Sequence, residues 1–260
     1  MNLTNDHFQH PTSIPLSHPN QTLPRSHHSK NQWSPYEING GNVVAYAKGD
    51  LLVLAGDTRI SRGFSVLKRD ATKIHRLTEN TYILSGGMYA DYTNLWKIMD
   101  ERIKLYQLNI EKTPTTKAIA AMLSKILYDK RFFPFYAFNI VAGLEENGEY
   151  ALYSYDAVGS YGLDEIRAIG NAHDLIQPLL DNQFTAYNSI QKPGKKLGEE
   201  IVEIIVDAFQ SAAERDITCK DGVEVIAFKS GKMVMDKLFP LRKDWLRLIW
   251  LIVGDLEENG

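Results

Sequence analysis

Along residues 42–237, groups of short β-branched runs alternate with pairs of amphipathic helices, and this order constrains the fold more than any single motif. The spans 42–48 and 51–56 are apolar runs on either side of Gly49-Asp50, the pattern of a tight hairpin. Residues 81–84 read as a buried strand that ends at Gly86-Gly87. Next, Tyr92, Leu95, Met99, Ile103 and Tyr106 recur at steps of three and four, which predicts a helix with one apolar face. Thr113-Pro114 predicts the start of a second helix, since proline suits a first turn, and Ile119, Met122, Leu123 and Ile126 continue its stripe. Residues 136–141 and 150–155 predict a strand pair across Glu145-Glu146-Asn147-Gly148. Helices are then expected near 172–180 and 196–214, and 223–228 with 233–237 closes a hairpin over Ser230-Gly231. Each strand group needs cover and the helices come in pairs, so two sheets stacked between two helical layers satisfy the packing of apolar faces. The expected class is α+β, a four-layer αββα sandwich.

The spacing around the first hairpin matters chemically. Asp57 ends its second strand, Lys73 lies sixteen residues beyond it, and sixteen residues before Asp57 stands Gly41, at the head of the first strand. Gly41 has no side chain, and Asn42 beside it offers only an amide. Further on come Ser85-Gly86-Gly87, the aromatic run from Lys130 to Tyr136, Asp156-Ala157-Val158-Gly159-Ser160-Tyr161, Gln177-Pro178-Leu179-Leu180-Asp181-Asn182-Gln183 and Ser211-Ala212-Ala213-Glu214-Arg215-Asp216.

Taken in order, these motifs resemble the proteasome beta subunits among the N-terminal-nucleophile hydrolases, and within them the non-catalytic type-1 branch. The resemblance covers residues 33–244 and is far more specific than any one short pattern. In active members a threonine follows a self-cleaved Gly-Thr bond, its hydroxyl attacks the peptide carbonyl and its α-amine takes the proton. The resemblance places the degenerate pocket at Gly41, Asp57, Lys73, Ser160 and Asp216, with Gly41 where the threonine would stand and no catalytic residue left. Cys219, three residues after Asp216, replaces a serine of the family pattern. The surviving charges are expected to persist as a partly buried salt-bridge and hydrogen-bond network.

The resemblance implies partners: the other alpha and beta subunits of a particle of four stacked seven-membered rings, with regulatory particles engaged indirectly. It also implies ATP- and ubiquitin-dependent protein degradation in cytoplasm and nucleus, with no cofactor, nucleic acid or membrane involved. Two rivals are weighed against it. An active threonine peptidase would need another processing site, and cleavage before Thr58 or Thr72 would remove the first hairpin. A stand-alone binding module would be a stable monomer without large apolar faces.

Composition sets wider bounds. The chain has 260 residues, 44% apolar and 23% charged, with a formal net charge of -3. Those values suit an ordinary globular protein and supply no basic field for nucleic acid or anionic lipid. Cys219 is the only cysteine, which excludes an internal disulfide and fits a reducing compartment. His75 and His173 are possible imidazole partners for it, but no spacing brings either to the thiol. Gly86-Gly87 lacks the Lys-Ser/Thr of a phosphate loop and instead suits a close backbone approach.

Residues 1–33 hold four of the ten prolines and five of the seven histidines, with Arg25 and Lys30 as their only other basic side chains. They are expected to form a disordered, propeptide-like extension, without a signal-peptide core, trimmed between His27 and Ser34. The histidines follow no metal-ligand spacing. After the 34–244 domain, residues 245–260 form a C-terminal extension. Its apolar stretch 245–253 is too short for a membrane span, which needs about 20 such residues. It is expected either to dock on a neighbouring subunit or to serve no purpose. The cluster Phe132, Phe133, Phe135, Tyr136 and Phe138 is expected to lie partly in the core and partly at an interface.

Overall fold

The computed structural model describes residues 34–189 and 197–241. The expected N-terminal extension and the extension 245–260 lie outside them. Contacts divide the chain into Met1–Pro35 and Tyr36–Gly260. The first unit contributes only exposed Ser34 and Pro35 to the described residues, and the second contains every helix and strand among them.

Five strands form the first sheet: β1 (Asn42–Lys48), β2 (Leu51–Asp57), β10 (Ile166–Gly170), β11 (Gly222–Lys229) and β12 (Lys232–Pro240), in the order β10-β1-β2-β11-β12. The second sheet runs β5-β6-β7-β8-β9, from β5 (Ile74–Arg76), β6 (Thr81–Gly87), β7 (Ala137–Leu144), β8 (Tyr150–Tyr155) and β9 (Tyr161–Asp164). A small ribbon pairs β3 (Ile60–Arg62) with β4 (Ser65–Lys68). The helices are α1 (Tyr89–Ile110), α2 (Thr116–Asp129), α3 (His173–Ser189) and α4 (Leu197–Ala213).

The period-two alternation of the strands sorts their side chains between layers. On β1, Val44 and Tyr46 face α3 and α4, where they meet Ile176, Leu180, Ile205 and Phe209. Val43 and Ala45 point the other way, into a second core with Leu52, Leu54, Leu84, Ile140 and Leu152 between the two sheets. The far face of the second sheet, with Ile83 and Val141, packs on Tyr92, Leu95 and Met99 of α1 and Ile119 and Leu123 of α2. Three cores between four layers make the αββα sandwich. Strands buried on both faces, as β2 is throughout, must be apolar without alternation, and Leu-Leu-Val-Leu-Ala satisfies this.

The helix starts differ from expectation in one place. Thr115, and not proline, caps α2: its hydroxyl accepts from the Ala118 amide at 3.2 Å, and Pro114 lies just outside. α3 also continues past its expected end to Ser189, through an internal Pro178. The short strands β3, β4, β5, β9 and β10 add to the expected set. Phe132 and Phe133 stay exposed at 86% and 65%, with the Arg131 guanidinium 4.2 Å above the Phe132 ring and Tyr36 stacked on Phe133.

Candidate functional site

The chain enters β1 through a tightly bound segment. Asn39 is buried; its amide donates to the Gly87 carbonyl at 3.2 Å, its Nδ2 to the Ser61 carbonyl at 3.1 Å, and its Oδ1 accepts from the Tyr89 amide at 2.9 Å. Gly40 accepts from the Gly87 amide. These bonds lock residues 39 and 40 between β3 and the start of α1.

Gly41 follows with φ +100°, a conformation that suits glycine. A Cβ built on it would lie 2.6 Å from Lys73 Cε and 3.0 Å from Lys73 Cδ. The lysine arm therefore fills the space that any side chain at position 41 would need. On the other side Gly86 and Gly170 let the backbone approach: a Cβ on Gly170 would collide with the Gly41 carbonyl oxygen.

Lys73 and Asp57 are both fully buried. Lys73 Nζ donates to the carbonyls of Asp57 (2.5 Å) and Arg59 (2.8 Å) and lies 3.3 Å from Asp57 Oδ1. Asp57 Oδ1 also accepts from the Asn42 amide at 2.5 Å. Desolvation pushes the Asp57 carboxyl above its ordinary range, with Lys73 and the Asn42 amide opposing, and it pulls the Lys73 ammonium below its own, with Asp57 opposing. Three acceptors around Nζ match the three N–H bonds of an ammonium, so we assign the pair its charged form. All three donors are then taken, and the lysine has none left to polarise a hydroxyl.

The other expected pocket residues divide. Asp216 lies just past α4, where its carboxylate accepts from the amide and hydroxyl of Thr218 at 2.8 and 2.9 Å. Thr218 in turn stands against Gly40, so Asp216 borders the site as the anchor of a turn, not as a partner of Lys73. Ser160 is corrected outright. It is exposed in the turn between β8 and β9, its amide donates to Asp156 Oδ1 at 2.8 Å, and neighbouring Gly159 accepts from Ser124 of α2. The place beside Gly41 belongs instead to Gly170 and Asn171. Asn171 Nδ2 reaches Thr218 Oγ1 at 3.5 Å, and Asn42 Oδ1 accepts from the Ala172 amide at 2.6 Å. The expected single network is thus a buried Asp57–Lys73 pair with a separate Asp216–Thr218–Asn171 chain.

Sequence reasoning does not single out Asn39, Gly170, Asn171 or Thr218. A usable signal exists for two of them: Gly170-Asn171 links a strand to a helix just as Gly86-Gly87 does. Cys219 is buried, its Sγ 3.9 Å from the Phe209 carbonyl, and burial pushes its thiol well up. His75 pairs with Asp100 and stacks on Trp96, and His173 reaches the Gly170 carbonyl and Asp174; neither forms a bond to the thiol. Arg59 makes a two-pronged pair with Asp221, at 2.6 and 2.8 Å, and Arg69 joins it at 2.7 Å. Among the described residues no helix is long and apolar enough to cross a membrane, and no group of three or more acidic, histidine or cysteine side chains could hold a metal ion.

Comparison with known proteins agrees with this architecture. The family model described as "Proteasome subunit" matches residues 38–227. Proteasome subunit beta type-1 of Danio rerio is 44% identical over 217 residues, which cover 83% of this chain and 91% of the relative. The subunit of the same name from Arabidopsis thaliana is 42% identical (82% and 97% covered), and that from Drosophila melanogaster 40% identical (82% and 91% covered). With its four-layer sandwich and its strand-end Asp57–Lys73 pair, the chain belongs to the proteasome subunit family.

Proposed function

We propose that this chain is a non-catalytic beta subunit of the proteasome core particle, and that its contribution to protein degradation is positional. It supplies ring contacts and part of the chamber wall, beside alpha and other beta subunits that carry out the proteolysis or gate it. The relatives named beta type-1 support the placement in the core particle. The observation that carries the non-catalytic reading is at Gly41, where the side chain is absent and Lys73 Cε stands 2.6 Å from where a Cβ would be. Catalysis by an N-terminal nucleophile needs a hydroxyl or thiol in that place, with a base at hand. Rival starts at Thr58 or Thr72 fare worse. Thr58 is buried and bonded to the Gly222 carbonyl, and cleavage before it would remove β1 and β2, which sit side by side within the first sheet.

In this reading Asp57 and Lys73 are kept for folding, Asp216 for its turn, and Ser160 for the β8–β9 loop. Residues 34–244 form the beta-type domain, residues 1–33 a propeptide-like extension trimmed by neighbours, and 245–260 an added C-terminal segment. Cytoplasm and nucleus are the expected locations. Exposed Phe132 and Phe133 supply aromatic anchors of the sort enriched at protein interfaces. Size measurement in native extract tests the assignment. The tagged chain is expected to co-migrate with a particle of many subunits; recovery only as a free monomer would overturn it.

A further inference from the structure

The corner that follows α2 sets an exposed cation on two aromatic rings. Tyr128, Lys130, Arg131, Phe132 and Phe133 are all exposed there, and the Arg131 guanidinium lies 4.8 Å from the centre of the Tyr128 ring and 4.2 Å from that of Phe132. Ring faces attract and steady a cation, but they do not neutralise it. Among the described residues no carboxylate forms an ion pair with Arg131 or Lys130. The corner is also fixed in place. The Arg131 amide donates to the Tyr128 carbonyl at 3.0 Å, and the Phe133 amide to the Lys130 carbonyl at 2.9 Å. Tyr36 stacks on Phe133 with ring centres 5.3 Å apart, and its hydroxyl donates to the Pro134 carbonyl at 2.8 Å. The Tyr136 amide donates to Asp91 Oδ2 at 2.7 Å, so α1 holds the far end of the run.

We propose that Arg131 docks a carboxylate, the Asp or Glu side chain of a different neighbouring subunit, with Phe132 and Phe133 as the apolar surround. This rests on the core-particle placement above and adds the chemistry of one contact. Burial decides the partner's charge. A surface that covers Phe132 and Phe133 also takes Arg131 out of water, and a cation stranded there without a counter-charge costs far more than an exposed one. Since no described acid of this chain pairs with it, the neighbour must bring one. The guanidinium presents a planar fork of N–H donors that fits the two oxygens of a carboxylate, and its held position means little freedom is lost on docking. Arginine beside aromatic anchors is also the composition of interface hot spots. A nucleic-acid phosphate is the weaker match, because a chain with net charge -3 supplies no broad basic field around the arginine.

Quantitative mass spectrometry of assembled particles tests this in cells that make full-length variant and wild-type chains in equal amounts. Arg131→Glu brings like charges together and is expected to be under-represented in the particle by about tenfold or more. Wild type absent from the particle would overturn the core-particle reading and this proposal with it, whereas wild type and Arg131→Glu present in equal amounts would overturn this proposal alone. Arg131→Lys keeps the charge and is expected to enter the particle, which allows a second readout. A carbodiimide joins the new amine directly to a carboxylate in contact with it, and the expected crosslink runs from position 131 to an Asp or Glu of a different subunit. A crosslink only within this chain or to a second copy of it, or none at all, would overturn the proposal.

Discussion

Replacing Gly41 by alanine adds one methyl group at a tightly packed point of the site, and the structure sets the cost. The new Cβ would stand 2.6 Å from Lys73 Cε, about 1 Å inside ordinary carbon contact. A lysine arm can usually swing aside, but this one is buried and its Nζ is fixed by the carbonyls of Asp57 and Arg59. Overpacking of that kind costs about 1–3 kcal/mol. The positive φ adds roughly 1 kcal/mol for a residue other than glycine. The total is about 2–4 kcal/mol, read by urea unfolding of the full-length chain. Gly148→Ala provides the comparison, since Gly148 has φ +82° and nothing within 4 Å of its added Cβ, leaving only the conformational cost. Equal losses in the two variants would refute the argument that Lys73 occupies the space of a side chain at position 41.

Three further outcomes are expected. Burial raises the Asp221 carboxyl, but Arg59 and Arg69 outweigh it and hold the group below its ordinary value of 3.8. That stability is fully present above pH 3.8 and fades as pH falls through the lower folded value, so wild type should lose more stability than Asp221→Asn between pH 5 and 3; parallel profiles would contradict this. Cys219 should resist alkylation in the native chain and react once urea unfolds it, because its thiol is buried and hard to ionise; rapid native labelling would count against its placement. Thr115→Ala should cost about 1 kcal/mol by removing the cap of α2, and no change in urea midpoint would show that the hydroxyl bond to Ala118 is not made.

The sequence reveals long elements because their periodicity is local. The Gly49-Asp50 turn and the doubly buried β2 stand out from their own residues, as does the Tyr92–Ile103 face of α1. β3, β5 and β10 are three to five residues long, and they are strands only because β4, β6 and β1 lie beside them. No single run of sequence encodes that neighbour. The site follows the same division. Asp57 and Lys73 fall at fixed spacing from one hairpin, whereas Asn171 reaches Thr218 across 47 residues and Ala172 reaches Asn42 across 130. Ser160 differs from expectation because the turn between β8 and β9 holds it at the outer edge of the second sheet, where neighbouring Gly159 accepts from Ser124 of α2.

The central claim is that the chain runs unbroken through Gly41 and carries no nucleophile there. Peptide mass spectrometry of the subunit from assembled particles treated with a covalent inhibitor of N-terminal threonines tests both halves together. The account predicts an intact peptide spanning Asn39, Gly40, Gly41 and Asn42 and no inhibitor adduct on this chain, with adducts on other beta subunits of the same particle. A mature terminus at Gly41, Asn42, Thr58 or Thr72, or an adduct at any of them, would contradict it.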